Sequence, residues 1–185
     1  WKIPKLVANG TGYSLEHGGT AVAVVDKSAD LDFASSSILK GGFYHAGQVC
    51  VSTQNVFLNE EVYDDFINLI IEKAKKLNTC DPNNENTDIG PIINEWERNR
   101  ILNQIKQAID LGAECLIGSN KILDTCIEPT ILINTNYEMQ VMNSEVFGPV
   151  ININKYKNLN ELIEICNKTP FSFQNAIYTK HIDTA

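Results

Sequence analysis

Residues 21–58 read AVAVVDKSADLDFASSSILKGGFYHAGQVCVSTQNVFL, and they decide the fold class of the chain. Residues 21–26 are a short β-branched apolar run, typical of a buried strand, and residues 54–58, QNVFL, are predicted to form a second strand. Between them, apolar residues follow helical spacing from Ala29 until a Gly-Gly pair at Gly41, which predicts the end of the helix. The order strand, helix, strand favours an α/β domain with a largely parallel sheet.

The rest of the chain continues this alternation of helices and strands. Asn59 is predicted to cap a helix, and a longer helix is predicted to turn Ile109 toward the core. A third helix follows Asn158, which resembles a capping box with Glu161 and predicts that Ile163 faces inward. Further strands are predicted at residues 131–133, 150–153 and 176–179.

Bulk properties limit the kinds of partner. The 185 residues fit a single domain, and residues 1–7 show no features of a targeting peptide. No apolar run has the length of a membrane span, so we expect no membrane partner. A formal charge of −8 disfavours nucleic acid, because such binding depends on clustered Lys and Arg.

Cysteine and histidine usage predicts reduced thiols and no metal site. The five cysteines are scattered, without a C-x-x-C pair or a Cys/His spacing suited to zinc. We therefore expect free thiols and a cytoplasmic protein. The three histidines share no ligand spacing, and no G-x-S-x-G or phosphate-loop motif occurs.

Cys50 is the first candidate for chemistry. It ends the stretch GGFYHAGQVC at residues 41–50, a glycine-bearing loop between the first helix and the second strand. Backbone amides in such a loop could stabilise a thiolate and bind an oxyanion, which suits a nucleophile. The alternative is that Cys50 is a small buried apolar residue.

Two glutamates are further candidates. Glu16 precedes Gly18 and Gly19, which permit close backbone approach, so it could act as a base or be a solvated turn residue. Glu145 and Phe147 lie before a strand in EVFGPV, where the carboxylate could accept hydrogen bonds from ribose hydroxyls or belong to an ordinary turn.

Three strings, LEHGG at 15–19, GQVC at 47–50 and EVFGPV at 145–150, resemble in this order the signature motifs of the aldehyde dehydrogenase superfamily. The resemblance covers essentially the whole chain. It implies a three-layer α/β catalytic domain of aldehyde dehydrogenase type over residues 1–185. It also implies that an N-terminal Rossmann-type domain and C-terminal segments of the parent enzyme lie outside this sequence, and no G-x-G-x-x-G fingerprint is found within it.

The resemblance further implies roles for individual residues. Cys50 would attack an aldehyde and form a thioester, and Glu16 would activate the water that hydrolyses it. Glu145, Phe147 and His17 would contact the cofactor, which is NAD or NADP in the full-length parent. We expect the parent to be a homodimer or homotetramer acting on a small-molecule aldehyde, and this chain alone to be inactive and to bind NAD(P) weakly.

Departures from the family pattern leave alternatives open. His17 stands where Leu is usual and Thr20 where Lys is usual, which leaves subfamily and substrate undecided. A coenzyme A-acylating enzyme would not need Glu16 as a hydrolytic base. A non-enzymatic structural module would not need Cys50, and a cofactor-free thiol hydrolase would need a base such as His45 near it.

Overall fold

The computed structural model describes residues 18–169 and 174–185, which form six strands and five α-helices. No helix among these residues is long and apolar enough to cross a membrane. The strands are β1 Ala21–Val25, β2 Thr53–Asn59, β3 Glu114–Ile117, β4 Thr130–Ile133, β5 Val150–Tyr156 and β6 Asn175–Tyr178. The helices are α1 Leu31–Phe43, α2 Tyr63–Ala74, α3 Glu95–Asp110, α4 Gln140–Asn143 and α5 Leu159–Cys166.

The strands form one sheet in the order β3-β4-β5-β2-β1-β6. Every neighbouring pair is parallel except β3 and β4, which are antiparallel. Val56 at the centre of the sheet is opposite Ala23 on one side and Ile153 on the other. The prediction of a largely parallel α/β sheet is therefore confirmed, although the edge strand β3 was not predicted.

Helices cover both faces of the sheet, as alternate residues of β5 show. A Cβ added to Gly42 of α1 would lie 2.6 Å from Cδ1 of Ile151, so α1 packs on the Ile151 face. On the opposite face, Nδ2 of Asn152 donates a hydrogen bond of 2.7 Å to the carbonyl of Val141 in α4. Since successive strand residues point to opposite faces, the domain has three layers.

Helix α1 was predicted to end at the glycine pair, but it includes both glycines and ends one residue later, at Phe43. A Cβ on Gly41 would lie 2.8 Å from Oγ1 of Thr53, and one on Gly42 would meet the carbonyl of Thr53 at 2.9 Å. The glycines thus allow the last turn of α1 to approach the start of β2 closely. Their role is close packing, and the helix stops only after them.

Asn59 and Asn158 are N-caps, as predicted, but their hydrogen bonds differ in detail, and two predicted core residues are exposed. Oδ1 of Asn59 accepts from the N–H of Glu61 and caps a 3₁₀ turn, and α2 begins only afterwards. Ile109 is 39% exposed and Ile163 51% exposed, because each lies on the solvent side of its helix. Asn158 bonds to the N–H of Asn160, in place of the predicted capping box with Glu161.

The expectation that all cysteines are reduced is also wrong. Cys80 and Cys126 form a disulfide with their Cα atoms 5.5 Å apart, while Cys50, Cys115 and Cys166 are free. Backbone contacts bring the two loops together, since the N–H of Ile92 donates to the carbonyl of Thr125 over 3.0 Å. The pairing depends on this tertiary contact, which cysteine spacing does not encode.

Candidate active site

The candidate site lies at the amino-terminal edge of the sheet. Gly19 precedes β1, Cys50 precedes β2 and Glu145 precedes β5. Because these strands are parallel and adjacent in the order β5-β2-β1, the segments that enter them lie side by side. The topology therefore brings together three motifs that are far apart in sequence.

Cys50 lies in a turn between the 3₁₀ turn Tyr44–Gly47 and β2, and it is partly exposed. The N–H of Ser52 donates to the carbonyl of Val49 over 2.9 Å and closes the turn. Among the described residues, the N–H groups of Val49, Cys50 and Val51 have no hydrogen-bond acceptor. Such amides are available to stabilise negative charge that develops beside the sulfur.

Left-handed backbone shapes the loop before Cys50. His45, Ala46 and Gly47 have φ values of 50°, 56° and 70°. This region costs an L-residue roughly 1–2 kcal/mol, so the surrounding packing must hold it. A Cβ on Gly47 would lie 2.1 Å from the carbonyl oxygen of Gly148, so Gly47 allows the Cys50 loop to touch the loop after Phe147.

The side chain of Gln48 fixes the same loop from another direction. Its Oε1 accepts from the N–H of Ile93 over 3.0 Å, and its Nε2 donates to the carbonyls of Pro91 at 3.1 Å and His45 at 3.3 Å. The Cys50 turn is thereby attached to the segment before α3. Gln48 belongs to the GQVC string, but the string alone does not predict this role.

Glu145 is held at the opposite side of the site. Its Oε1 accepts a hydrogen bond of 3.0 Å from the N–H of Gly19. A Cβ on Gly18 would lie 2.2 Å from Oε2 of Glu145, so only glycine allows this approach. Phe147 follows with φ of 50° and a side chain that is 40% exposed. Glu145 and Phe147 line one small cavity together with Val49 and Ser52, which flank the Cys50 turn.

Not every predicted site residue can be placed. Glu16 and His17 lie outside the described residues, and their roles remain predictions. His45 is exposed and its ring lies edge-on to Tyr44, with centroids 4.2 Å apart; in the described part it is not hydrogen bonded to Cys50. Within residues 18–169 and 174–185, no group of three or more His, Cys, Asp or Glu residues could hold a metal ion.

The sequence model of the aldehyde dehydrogenase family matches residues 2–185, and the chain belongs to this family. It is 37% identical over 172 residues to a 3-sulfolactaldehyde dehydrogenase of Priestia aryabhattai, covering 93% of this chain and 36% of that protein. It is 38% identical over 172 residues to a lactaldehyde dehydrogenase of Methanococcus maripaludis, covering 93% and 37%.

Solved structures show the same likeness. An NAD-dependent aldehyde dehydrogenase from Sinorhizobium meliloti matches with a TM-score of 0.94 at 28% identity, over 100% of this chain and 37% of that one. A betaine aldehyde dehydrogenase from Staphylococcus aureus, solved in complex with NAD+, matches with a TM-score of 0.92 at 28% identity, over 99% and 37%. The chain therefore spans little more than a third of the length of these relatives.

Proposed function

We propose that the protein is an NAD(P)-dependent aldehyde dehydrogenase that oxidises a small aldehyde to its carboxylic acid through a thioester on Cys50. The observation that carries the proposal is the Cys50 turn, whose amides lack acceptors in the described part and whose residues Val49 and Ser52 lie beside Glu145 and Phe147. Family membership supplies the class of reaction.

In the first half of the reaction, the Cys50 thiolate forms a bond to the aldehyde carbon, and the carbonyl π electrons move to oxygen. The N–H of Cys50 is available to donate a hydrogen bond to that oxyanion. When bound, NAD(P) supplies the hydride acceptor. The oxyanion re-forms the carbonyl as the aldehyde hydrogen leaves with its bonding electrons as hydride, so Cys50 is left carrying the acyl group as a thioester.

In the second half, Glu16 is the proposed general base. It takes a proton from a water molecule while the water oxygen attacks the thioester carbonyl. The carbon–sulfur bond breaks, which releases the carboxylic acid and returns Cys50 as a thiolate. The role of Glu16 is supported by its place in the motif that ends at Gly18 and Gly19, which lie beside Glu145.

The residues present fit a nicotinamide nucleotide. Glu145 is partly exposed and supplies a carboxylate, a group suited to ribose hydroxyls, and Phe147 offers an exposed ring surface. His17 is the third proposed contact. We assign the remaining dinucleotide contacts to a Rossmann-type domain outside residues 1–185. The isolated chain is then expected to show no tight NAD(P) binding in calorimetry, and tight binding would contradict this assignment.

The test uses the whole protein, expressed from its complete coding sequence. Reduced nicotinamide is measured with NAD or NADP and short aldehydes, beginning with lactaldehyde and 3-sulfolactaldehyde because two similar relatives are named for them. Turnover that is lost in Cys50→Ala supports the proposal. An absolute requirement for coenzyme A would favour the acylating alternative, and no turnover by a folded, cofactor-binding protein would favour the structural module.

We also propose that the whole protein is cytoplasmic and forms a homodimer or homotetramer. The three free cysteines support a reducing compartment, whereas the Cys80–Cys126 disulfide argues against a fully reduced protein. Light scattering after gel filtration measures the oligomer. Thiol labelling in intact cells measures the redox state of Cys80 and Cys126 there.

A further inference from the structure

We propose that Gln54 is a positioning residue that fixes the Glu145 carboxylate relative to Cys50; this inference rests on the function proposed above. Gln54 is the second residue of β2, the strand that the Cys50 turn enters, and it is only 5% exposed. A buried amide is costly unless its hydrogen bonds are made, so its partners show what it holds.

Within the described residues, the hydrogen bonds of the Gln54 side chain all go to the segment around Glu145. Nε2 donates to the carbonyls of Val141 at 2.8 Å and Ser144 at 2.9 Å, and Oε1 accepts from the N–H of Val146 at 2.9 Å. The backbone is thus held on both sides of Glu145 by one side chain. An amide suits this task because it supplies donors and an acceptor together.

Arg100 on α3 holds the same segment from outside the sheet. Its Nη2 donates to the carbonyl of Val146 over 2.7 Å. The guanidinium is itself fixed by Glu97 at 2.6 Å and by Gln104 at 2.9 Å. The two polar groups of Val146 are therefore bound by different elements, the N–H by β2 and the carbonyl by α3. The backbone of Glu145, directly before Val146, therefore has little conformational freedom.

This arrangement predicts that a change at Gln54 affects cofactor binding but not the reactivity of the Cys50 thiol. Gln54 acts on Glu145, whereas Gln48 and Gly47 hold the Cys50 turn through other contacts. Loss of the Gln54 amide should weaken the contact between Glu145 and the ribose while leaving the Cys50 thiol as reactive as before. A residue with a packing role alone would change stability without this split.

The experiment uses the whole protein and compares Gln54→Met with Gln140→Met, the same change at an exposed position of α4. Met has a similar length but cannot make the three hydrogen bonds. The KM for NAD(P) is expected to rise about tenfold in Gln54→Met, with the rate of Cys50 alkylation by iodoacetamide within about twofold of the parent. Burial raises the pKa of the Cys115 and Cys166 thiols, which limits background alkylation.

Arg100→Met is the second variant, and it tests the positioning role if Gln54→Met does not fold. The Arg100 side chain is partly exposed, so its replacement should disturb folding less. The variant should raise the KM for NAD(P) in the same direction. Unchanged KM and kcat in the folded variants would overturn the positioning role, as would alkylation that slows in parallel with the loss of cofactor binding. Cys50→Ala in the same assay separates the two proposals, since turnover without Cys50 defeats the proposed function itself.

Discussion

The backbone N–H of Gly19 donates a hydrogen bond of 3.0 Å to Oε1 of Glu145, although 126 positions separate the two in sequence. This contact joins the segment that follows Glu16 to the segment that enters β5. The Cys50 turn lies between them, at the start of β2. The proposed nucleophile and the proposed ribose-binding carboxylate thus belong to neighbouring segments at one edge of a parallel sheet, beside the two glycines that follow the proposed base in sequence.

Gly18→Ala is expected to weaken cofactor binding with little loss of stability. The new Cβ would lie 2.2 Å from Oε2 of Glu145, and the end of that flexible side chain can move more easily than backbone. We expect the KM for NAD(P) to rise at least about threefold in steady-state kinetics of the whole protein. Gly90→Ala is the control, because a Cβ there meets nothing within 4 Å. An equal KM in both variants would contradict the proposed role of Glu145.

Gly47→Ala is expected to destabilise the protein by about 3 kcal/mol or more, since the new Cβ would meet the backbone carbonyl of Gly148 at 2.1 Å in addition to requiring φ of +70°. Gly112→Ala carries only the backbone strain of a positive φ, +104°, with nothing within 4 Å, and should cost about 1–2 kcal/mol. Urea unfolding measures both free energies. Equal losses would mean that the two loops do not pack as closely as described.

Asp26 should make stability depend on pH at the acid end. Burial raises the pKa of its carboxyl, but hydrogen bonds from Oγ and N–H of Ser28 and from Oγ1 of Thr179 together lower the pKa below its ordinary value. A carboxyl whose pKa is lowered in the folded state stabilises the fold at pH values above its unfolded pKa of about 3.9. This stabilisation is lost as the pH falls through the folded-state pKa.

Asp26→Asn should therefore give a shallower loss of unfolding free energy below about pH 4 than the parent. Asp183→Asn removes an exposed carboxylate and is the control. Urea titrations at several pH values compare the three proteins. Identical acid limbs for Asp26→Asn and the parent would show that the Ser28 and Thr179 hydrogen bonds do not favour the ionised carboxyl.

The Cys80–Cys126 disulfide predicts three titratable thiols in the unreduced, denatured chain and five after reduction. Its sequence separation of 46 sets an upper stabilisation of about 4 kcal/mol by chain entropy. The double variant Cys80→Ser/Cys126→Ser should lower the unfolding free energy toward that limit, while Cys166→Ser, which removes a thiol outside the disulfide, should have a smaller effect. Five thiols before reduction would exclude the disulfide.

The strands at the centre of the sheet could be predicted from sequence because each contains a short stretch of buried apolar residues. Val25 and Val56 are fully buried, and each belongs to a run that a parallel strand requires. The edge strand β3 has no buried residue, and its short apolar stretch at residues 115–117 does not by itself distinguish a strand from a helix segment. Its pairing with β4 depends on tertiary position, which a local pattern does not contain.

The candidate residues of the site could be predicted from sequence motifs, but the residues that hold them in place could not. Cys50 and Glu145 stand in short strings that resemble a family. Gln54 looks like an ordinary polar residue in a strand, and its role depends on Val141, Ser144 and Val146, which are distant in sequence. Partners of buried polar groups are set by how elements pack, so only the folded chain reveals them.

Formation of a thioester on Cys50 is tested most directly by peptide mass spectrometry of the whole protein, quenched with acid during turnover of an aldehyde with NAD(P). We expect the acyl group on the peptide that contains Cys50, more of it in Glu16→Gln because hydrolysis slows, and neither adduct nor acid in Cys50→Ala. Carboxylic acid formed at the parent rate by Cys50→Ala, with no acylated cysteine in the parent, would contradict the mechanism.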